Sequence, residues 1–464
     1  MNLLKIAWRN LWRSRTRTVL TAFVVFFVVI LSIVMSAQQY GMYDNMINNA
    51  VEFSGHIQIQ DTNYAENKNI NDLIELDESL LEQTASVKHV EGVVPRIESF
   101  SLASFGNKTK GVAVVGIQPE EEKSISKLDN KIARYNLETH NLELDTAVSN
   151  DLSTLNKQTF VSEEIFMERL ESNIREDLFT EELAQKIISA SKINSKYLEN
   201  GDKGVVIGQA LADYLEIELG DTLVMLSQGY HGATAAALYP VKGFIKLPLV
   251  QLERGIVFMD IHALQDFFSA PNMATSILVK VNKNSQVKNV TRNLNDMLPD
   301  DLVAKSWDEL QPEMVQMIES DKAGGVFMKG IFYMIVGFII FGTIMMMLSE
   351  RKKEFGILIA VGLKRSILAT ILLIETLLIS LLGTLIGFGL SYPIVNFLHK
   401  NPIPLQGQMA EVMEDYGFEP IIFFSNNADI FYTQALIIFI VTIVIFCFPL
   451  MSLRKLNVIK SIRE

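Results

Sequence analysis

The chain has 464 residues, 49% of them hydrophobic, and a formal net charge of −12. Positive mean hydropathy beside so many acids excludes a uniformly mixed globular surface, since long apolar runs belong in a bilayer and acidic stretches in water. The six histidines (56, 89, 140, 231, 262, 399) show no metal-ligand spacing, and neither a G-x-S-x-G elbow nor a G-x-x-x-x-G-K-S/T loop occurs, so no motif supports catalysis, metal binding or ATP binding by this chain.

Residues 1–18 carry Lys5, Arg9, Arg13, Arg15 and Arg17 with no acid, and Trp8 and Trp12 stand among the arginines. The pattern predicts an interfacial helix, with the rings at headgroup level and the arginines reaching anionic lipid. Residues 19–37 are uncharged and apolar, long enough to cross a bilayer and too long for the apolar core of a signal peptide, so a retained first span is expected.

Residues 38–328 read as a water-exposed α+β domain. His56–Gln60 alternates as a half-buried strand does, and Gly111–Ile117, Gly204–Gly208, Thr222–Leu226, Tyr239–Ile245, Gly255–Met259 and Thr275–Val281 are further strand candidates. Helices are expected at Gln209–Leu219, His262–Phe268 and Val287–Met297. The stretch 134–193 is polar, acidic and helix-favouring, and it reads as an inserted helical subdomain, with an acidic linker as the alternative. Ser306–Asp321 is expected to be one helix leading towards the membrane.

Two further spans are expected at 329–348 and 367–394, separated by the charged segment 349–366. The third span contains one acid, Glu375, and the pair Gly383 and Gly387, whose spacing lets helices approach closely. An acid within a span must be neutral, paired or turned towards protein, and its role there is open between a switch and a structural hydrogen bond. A short loop, 395–431, leads to a fourth span, 432–450, which holds the lone cysteine, Cys447. A large water-exposed domain without cysteine cannot use disulfides, which fits bacterial export. The tail, 451–464, is basic, as are 1–18 and 349–366. Positive segments stay in the cytoplasm, so both termini and 349–366 are expected inside, with 38–328 and 395–431 outside.

The segment 349–366 is the informative one. Phe355, Leu358, Ile359 and Gly362 fall at i, i+3, i+4 and i+7, one face of a short helix. Such a helix either lies at the lipid interface or inserts into a groove on a cytoplasmic partner. Gly356 and Gly362 permit close approach and a sharp exit into the third span.

The run Ala7-Trp-Arg-Asn-Leu-Trp-Arg-Ser-Arg-Thr-Arg-Thr18, the segment Glu350–Arg365 and the closing elements Pro449-Leu450 and Leu456–Lys460 together resemble the FtsX/MacB/LolCE-like permeases of ABC transporters, the mechanotransmission type. Glu350–Arg365 is similar to that family's coupling segment, of the form E-R-x-x-E-(I/F)-G-(I/V)-x-x-A-(L/V)-G. Gly204–Ala212 with Leu219–Leu223, and Tyr239–Phe244, are similar to elements of the lipoprotein-releasing branch. The insertion at 134–193 departs from the pattern.

The resemblance implies an α-helical membrane protein with four transmembrane helices plus a large α+β periplasmic domain, set in the bacterial inner membrane. It implies a non-enzymatic permease subunit that binds no cofactor itself, ATP-Mg being held by a partner ABC ATPase. The coupling residues would be Glu350, Arg351, Glu354, Phe355, Gly356, Leu358, Ile359, Gly362 and Leu363. Its further partners would be a second permease copy or paralogue, membrane lipid, and a lipoprotein substrate or periplasmic chaperone, with no nucleic acid. Lipoprotein release is the expected function. MacB-like efflux and FtsX-like regulation of a cell-wall hydrolase are the alternatives.

Overall fold

A computed structural model of the chain describes residues 3–13, 15–139, 142, 144–248, 250–405, 409, 412–413 and 420–454. The closing element Leu456–Lys460, His140 and most of 406–419 lie outside the described residues. The chain divides into a membrane unit (Met1–Ile47, Glu313–Leu405, Ile421–Glu464) and a sheet domain (Asn48–Pro312, Gln406–Pro420).

Among the described residues of the chain, four helices are long and apolar enough to cross a membrane: Arg15–Ser54, Pro312–Glu350, Arg365–Lys400 and Ala428–Arg454. About 20 residues suffice for a crossing, so the first three, at 40, 39 and 36 residues, exceed the hydrocarbon layer. Their apolar residues are not confined to one stripe, as lipid on one side and protein on the other demand. Val25, Val29 and Ile33 of the first share a core with Ile340 and Ile344 of the second and Leu368 and Leu372 of the third. Gly383 and Gly387 meet the first helix: a Cβ there would come within 2.7 Å of the Ala22 carbonyl oxygen and 2.9 Å of that of Phe26. Only hydrogen fits at such a contact. A polar cluster also ties three spans together. The Ser32 hydroxyl donates to Gln434 Oε1 at 2.7 Å, and the Tyr333 hydroxyl bonds to both residues.

The sheet domain is built on nine strands: β1 (Ile57–Asp61), β2 (Val90–Phe105), β3 (Lys108–Ile117), β4 (Val205–Gly208), β5 (Thr222–Gln228), β6 (Thr234–Ile245), β7 (Ile256–Asp260), β8 (Ser276–Val281) and β9 (Leu302–Ser306). Their order is β9-β1-β8-β2-β3-β7-β4-β6-β5, and β2 also pairs with β5, which closes the last six into a ring. The long β2 serves both halves, pairing β8 through Val90–Arg96 and β5 through Leu102–Ser104. Helix Ile261–Phe268 packs Leu264 and Phe268 among the ring's inward residues, including Leu223, Met225, Val257 and Met259. Helix Val287–Met297 covers the other half through Val287, Val290 and Leu294.

Residues 135–190 build a small core of their own around Leu152, Phe166, Leu170 and Ile187, with the Phe160 and Phe166 rings stacked at 4.1 Å. Ser162 and Thr180 cap its two longer helices, Glu163–Asn173 and Glu181–Ala190, by accepting backbone N–H bonds.

Three local expectations change. Helix Gln209–Leu219 stops at Leu215, because Glu216 takes a left-handed conformation that folds Ile217 into the core. Ser306–Asp321 is not one helix. Ser306 and Glu309 form a capping box on the single turn Trp307–Leu310, and the next helix restarts at Pro312, where a missing N–H costs nothing. Strand β2 was not among the expected strands; Gly92, Pro95 and Arg96 all sit in its ladder to β8.

A buried ion pair holds the start of the sheet. Arg96 and Glu122 are both fully enclosed; Arg96 Nη2 meets Glu122 Oε1 at 2.5 Å and Nε donates to Oε2 at 3.3 Å. Its Nη1 donates to the Phe53 carbonyl at 2.6 Å, serving an acceptor that the last turn of its helix leaves unpaired.

His56, at the start of β1, is bonded as a neutral ring. One ring nitrogen lies 2.9 Å from Asn284 Oδ1, and the other accepts from the Val281 N–H at 3.3 Å. Burial pushes its pKa below the usual histidine value, with the Lys280 charge acting in the same direction and Asn284 and Glu91 opposing it. The unfolded chain thus binds the proton more readily, so stability is present above the ordinary histidine pKa and is lost as pH falls through it. The sheet domain's melting temperature in the intact chain is expected to fall as pH drops below about 6.5, and His56→Gln is expected to flatten that slope. An unchanged slope in the variant would assign the effect elsewhere.

Candidate functional site

The segment between the second and third spans folds into a compact knob. Arg351 leaves helical geometry and ends the long second helix, and Lys352–Ala360 forms a new one. That helix closes on Gly362, whose φ of +105° only glycine adopts without strain. Gly362 N–H bonds to Ile359 O and Leu363 N–H to Leu358 O, the paired bonds of a Schellman close. Lys364 is then extended and the third span starts at Arg365. Gly362→Ala is expected to cost about 1–2 kcal/mol through the left-handed backbone. Thermal unfolding of the solubilised chain checks this, with the exposed Val361→Ala as the unaffected control.

The four-residue stripe expected here does not act as one face. Phe355 and Gly356 are buried, and Phe355, Ile359 and Leu363 pack on the bundle core with Leu348, Leu368 and Leu372. Leu358 turns outward instead, beside Ile357, and Val361 is 83% exposed. The bulk of the bundle takes the Phe355 side, so the 3.6-residue period places Ile357, Leu358 and Val361 on the other. Lys353 and Lys364 are exposed beside them. The outward surface is therefore an apolar tip with a basic border. Neither Ile357 nor Val361 stood out in the sequence, because a stripe in a nine-residue helix cannot say which side its own protein occupies.

The base of the knob is held from within the bundle. Glu375 is 2% exposed, and both its carboxylate oxygens accept bonds. Arg351 Nη1 donates to Oε2 at 2.8 Å, and Asn10 Nδ2 donates to Oε1 at 2.7 Å. Arg351 also lies 3.7 Å from Glu354 through Nε, and its guanidinium sits over the Phe355 ring at 5.5 Å. Three elements thus converge on one carboxylate: the N-terminal helix Leu3–Arg13, the knob and the third span. The acid is paired, which removes the cost of an isolated charge in lipid. Asn10 was missed in the sequence, where nothing marks it among the arginines. Glu350 is exposed and Glu354 partly so, and no cluster of potential metal ligands is found among the described residues.

The site offers an apolar surface and a charge pair, Arg351 and Glu375, that connects the base of the knob to the third span.

Residues 326–458 match the family described as FtsX-like permease C-terminal. The lipoprotein-releasing system transmembrane protein LolC of Xylella fastidiosa (strain 9a5c) is 19% identical over 210 residues, 44% of this chain and 50% of that protein. The ABC transporter permease YtrF of Bacillus subtilis (strain 168) is 29% identical over 173 residues, 36% of this chain and 39% of that protein. The matches thus span half or less of these relatives' lengths. Among solved structures, the extracellular domain of the noncanonic ABC-type transporter YknZ from Gram-positive bacteria aligns over 54% of this chain and 99% of its own, at 14% identity and a TM-score of 0.29. The periplasmic region of MacB from Actinobacillus actinomycetemcomitans aligns over 56% and 91%, at 12% identity and a TM-score of 0.30.

Proposed function

We propose, on the premise that residues 326–458 are an FtsX-like permease domain, that this chain is the membrane subunit of an ABC-type transporter driven by a separate ATPase. The observation that carries the reading is the knob at 351–364, with Ile357, Leu358 and Val361 outward and Phe355 and Arg351 locked inward. An apolar tip of this size suits a groove on a partner, the helix-in-groove mode, and its basic border fits an acidic rim. The excess of Lys and Arg in 1–18, 349–366 and 451–464 supports placing those segments in the cytoplasm and the sheet domain outside. ATP binding and hydrolysis on the partner would move the knob, and Arg351–Glu375 would carry that movement into the third span.

Lipoprotein release is the substrate reading, supported by the match to LolC, whose name states that function. A substrate anchored by acyl chains in the outer leaflet needs no aqueous tunnel, only a membrane unit that opens sideways and a domain outside to receive it.

The experiment is copurification with an ABC-type ATPase of the same cell, followed by hydrolysis assays in proteoliposomes. A stable complex is expected, with ATP turnover that Leu358→Asp with Val361→Asp lowers at least tenfold, since two buried charges cost well over 1.4 kcal/mol. Absence of any complex would refute the coupling role. With coupling established, release of a diacylated reporter from the same vesicles tests the substrate; ATP turnover without release would point to efflux or to regulation of a cell-wall enzyme.

A further inference from the structure

The N-terminal helix leaves a groove against the membrane bundle. Its volume is about 370 Å³, and its lining is almost wholly apolar. Trp8 and Trp12 form one wall, Ala22 and Phe26 of the first span the floor, and Ile386 of the third span the far side, with Arg15 the one charged residue among the lining. Ala7 and Leu11 fasten the helix to the bundle, while Trp8 and Trp12 remain about half exposed, with their rings edge to face at 6.1 Å. The Arg15 guanidinium lies over the Trp12 ring at 5.9 Å.

The lining has a direction. Arg15 stands at the first residue of its helix and Phe26 eleven residues further on, a rise of roughly 16 Å at 1.5 Å per residue. One leaflet's hydrocarbon is about 15 Å deep, half of the usual ~30 Å core. An apolar slot with a cation at one end and the depth of one leaflet matches a phospholipid in length and charge. No acid occurs in residues 1–18, so nothing in that segment offsets the attraction to an anionic headgroup. A soluble apolar ligand would need no cation, and a peptide would leave its backbone groups unpaired beside the indole and phenyl rings.

We infer that this groove is a binding site for one phospholipid with an acidic headgroup, of the phosphatidylglycerol class. Its phosphate sits at Arg15 and one acyl chain lies along Trp8, Trp12, Ala22 and Phe26. The site does not depend on which face of the membrane the knob occupies, or on the partner ATPase.

The tryptophans supply the test. Of the three in the chain, Trp8 and Trp12 line the groove, and Trp307 belongs to the sheet domain, where it gives a constant background. The full chain is reconstituted in phosphatidylcholine nanodiscs and titrated with phosphatidylglycerol brominated on its acyl chains, or with brominated phosphatidylcholine. Brominated phosphatidylglycerol is expected to reach half-maximal quenching at a mole fraction about fivefold lower, the preference that one basic residue gives near a membrane surface. Arg15→Gln is expected to remove the preference while leaving maximal quenching intact. Ala22→Phe, which fills the floor, is expected to reduce quenching by both lipids. Equal quenching by the two lipids in the unaltered chain would overturn the assignment, as would a preference that survives in Arg15→Gln.

Discussion

Arg96→Met is expected to destabilise the sheet domain by about 3–5 kcal/mol, because it strands the enclosed Glu122 carboxylate without a counter-charge. It also removes the donor on the Phe53 carbonyl, a bond to a charged group of about 1.5–3 kcal/mol that is partly counted in the same loss. The second substitution decides the mechanism. If the cost is that of an unpaired buried charge, Arg96→Met combined with Glu122→Leu recovers most of it, since hydrophobic replacement of a whole buried pair is often neutral. If the cost came from packing alone, the double variant would be worse than either single one. Urea unfolding of the solubilised chain, followed by hydrogen exchange in β2 and in helix Pro119–Ile125, separates the two outcomes.

Glu375→Ala is expected to remove both bonds that fix the knob's base, at a cost of about 2–5 kcal/mol for truncating one side of an enclosed charge pair. Asn10→Ala should cost only about 1 kcal/mol, the net value of one hydrogen bond. Position matters more than stability here. Arg351→Met with Glu375→Leu is expected to regain most of the stability, yet to leave the ATP turnover of the proposed ATPase complex depressed. The apolar pair cannot fix an angle as the two-point carboxylate contact does. Full recovery of turnover in that double variant would reduce Glu375 to a packing residue.

Much of the fold was legible because single elements carried strong local signals. The first, second and fourth spans hold uncharged apolar runs and that of the third is broken only by Glu375, and strands such as Gly204–Gly208 and Gly255–Met259 are short buried runs between turn residues. Helix Val287–Met297 shows its period in Val287, Val290 and Leu294. Strand β2 was hidden because Pro95 and Arg96 follow no strand pattern. The proline is tolerated within its ladder, and the arginine is tolerated because Glu122, 26 residues away, neutralises it. Helix Gln209–Leu215 ran long in the reading because Glu216, an ordinary helix former, takes a left-handed cap that no composition signals.

The site was half legible. The glycine at 362 and the apolar spacing from Phe355 to Ile359 marked a short helix with a sharp exit. Which apolar residues face outward depended on where the bundle lies, and that is a tertiary fact. Leu358 consequently changed sides, and Val361 emerged as the most exposed apolar residue of the knob. The partners of Glu375 were out of reach for the same reason. Asn10 is 365 positions away in sequence, and Arg351 reads as one more basic residue in a basic loop.

The central claim is that Val361 and its neighbours form a cytoplasmic tip that an ATPase covers. Val361→Cys in a Cys447→Ser background places one thiol there for a membrane-impermeant maleimide. Labelling is expected in inverted vesicles and not in intact cells, and bound ATPase should protect the thiol. Labelling from outside intact cells, or labelling indifferent to the ATPase, would contradict the account.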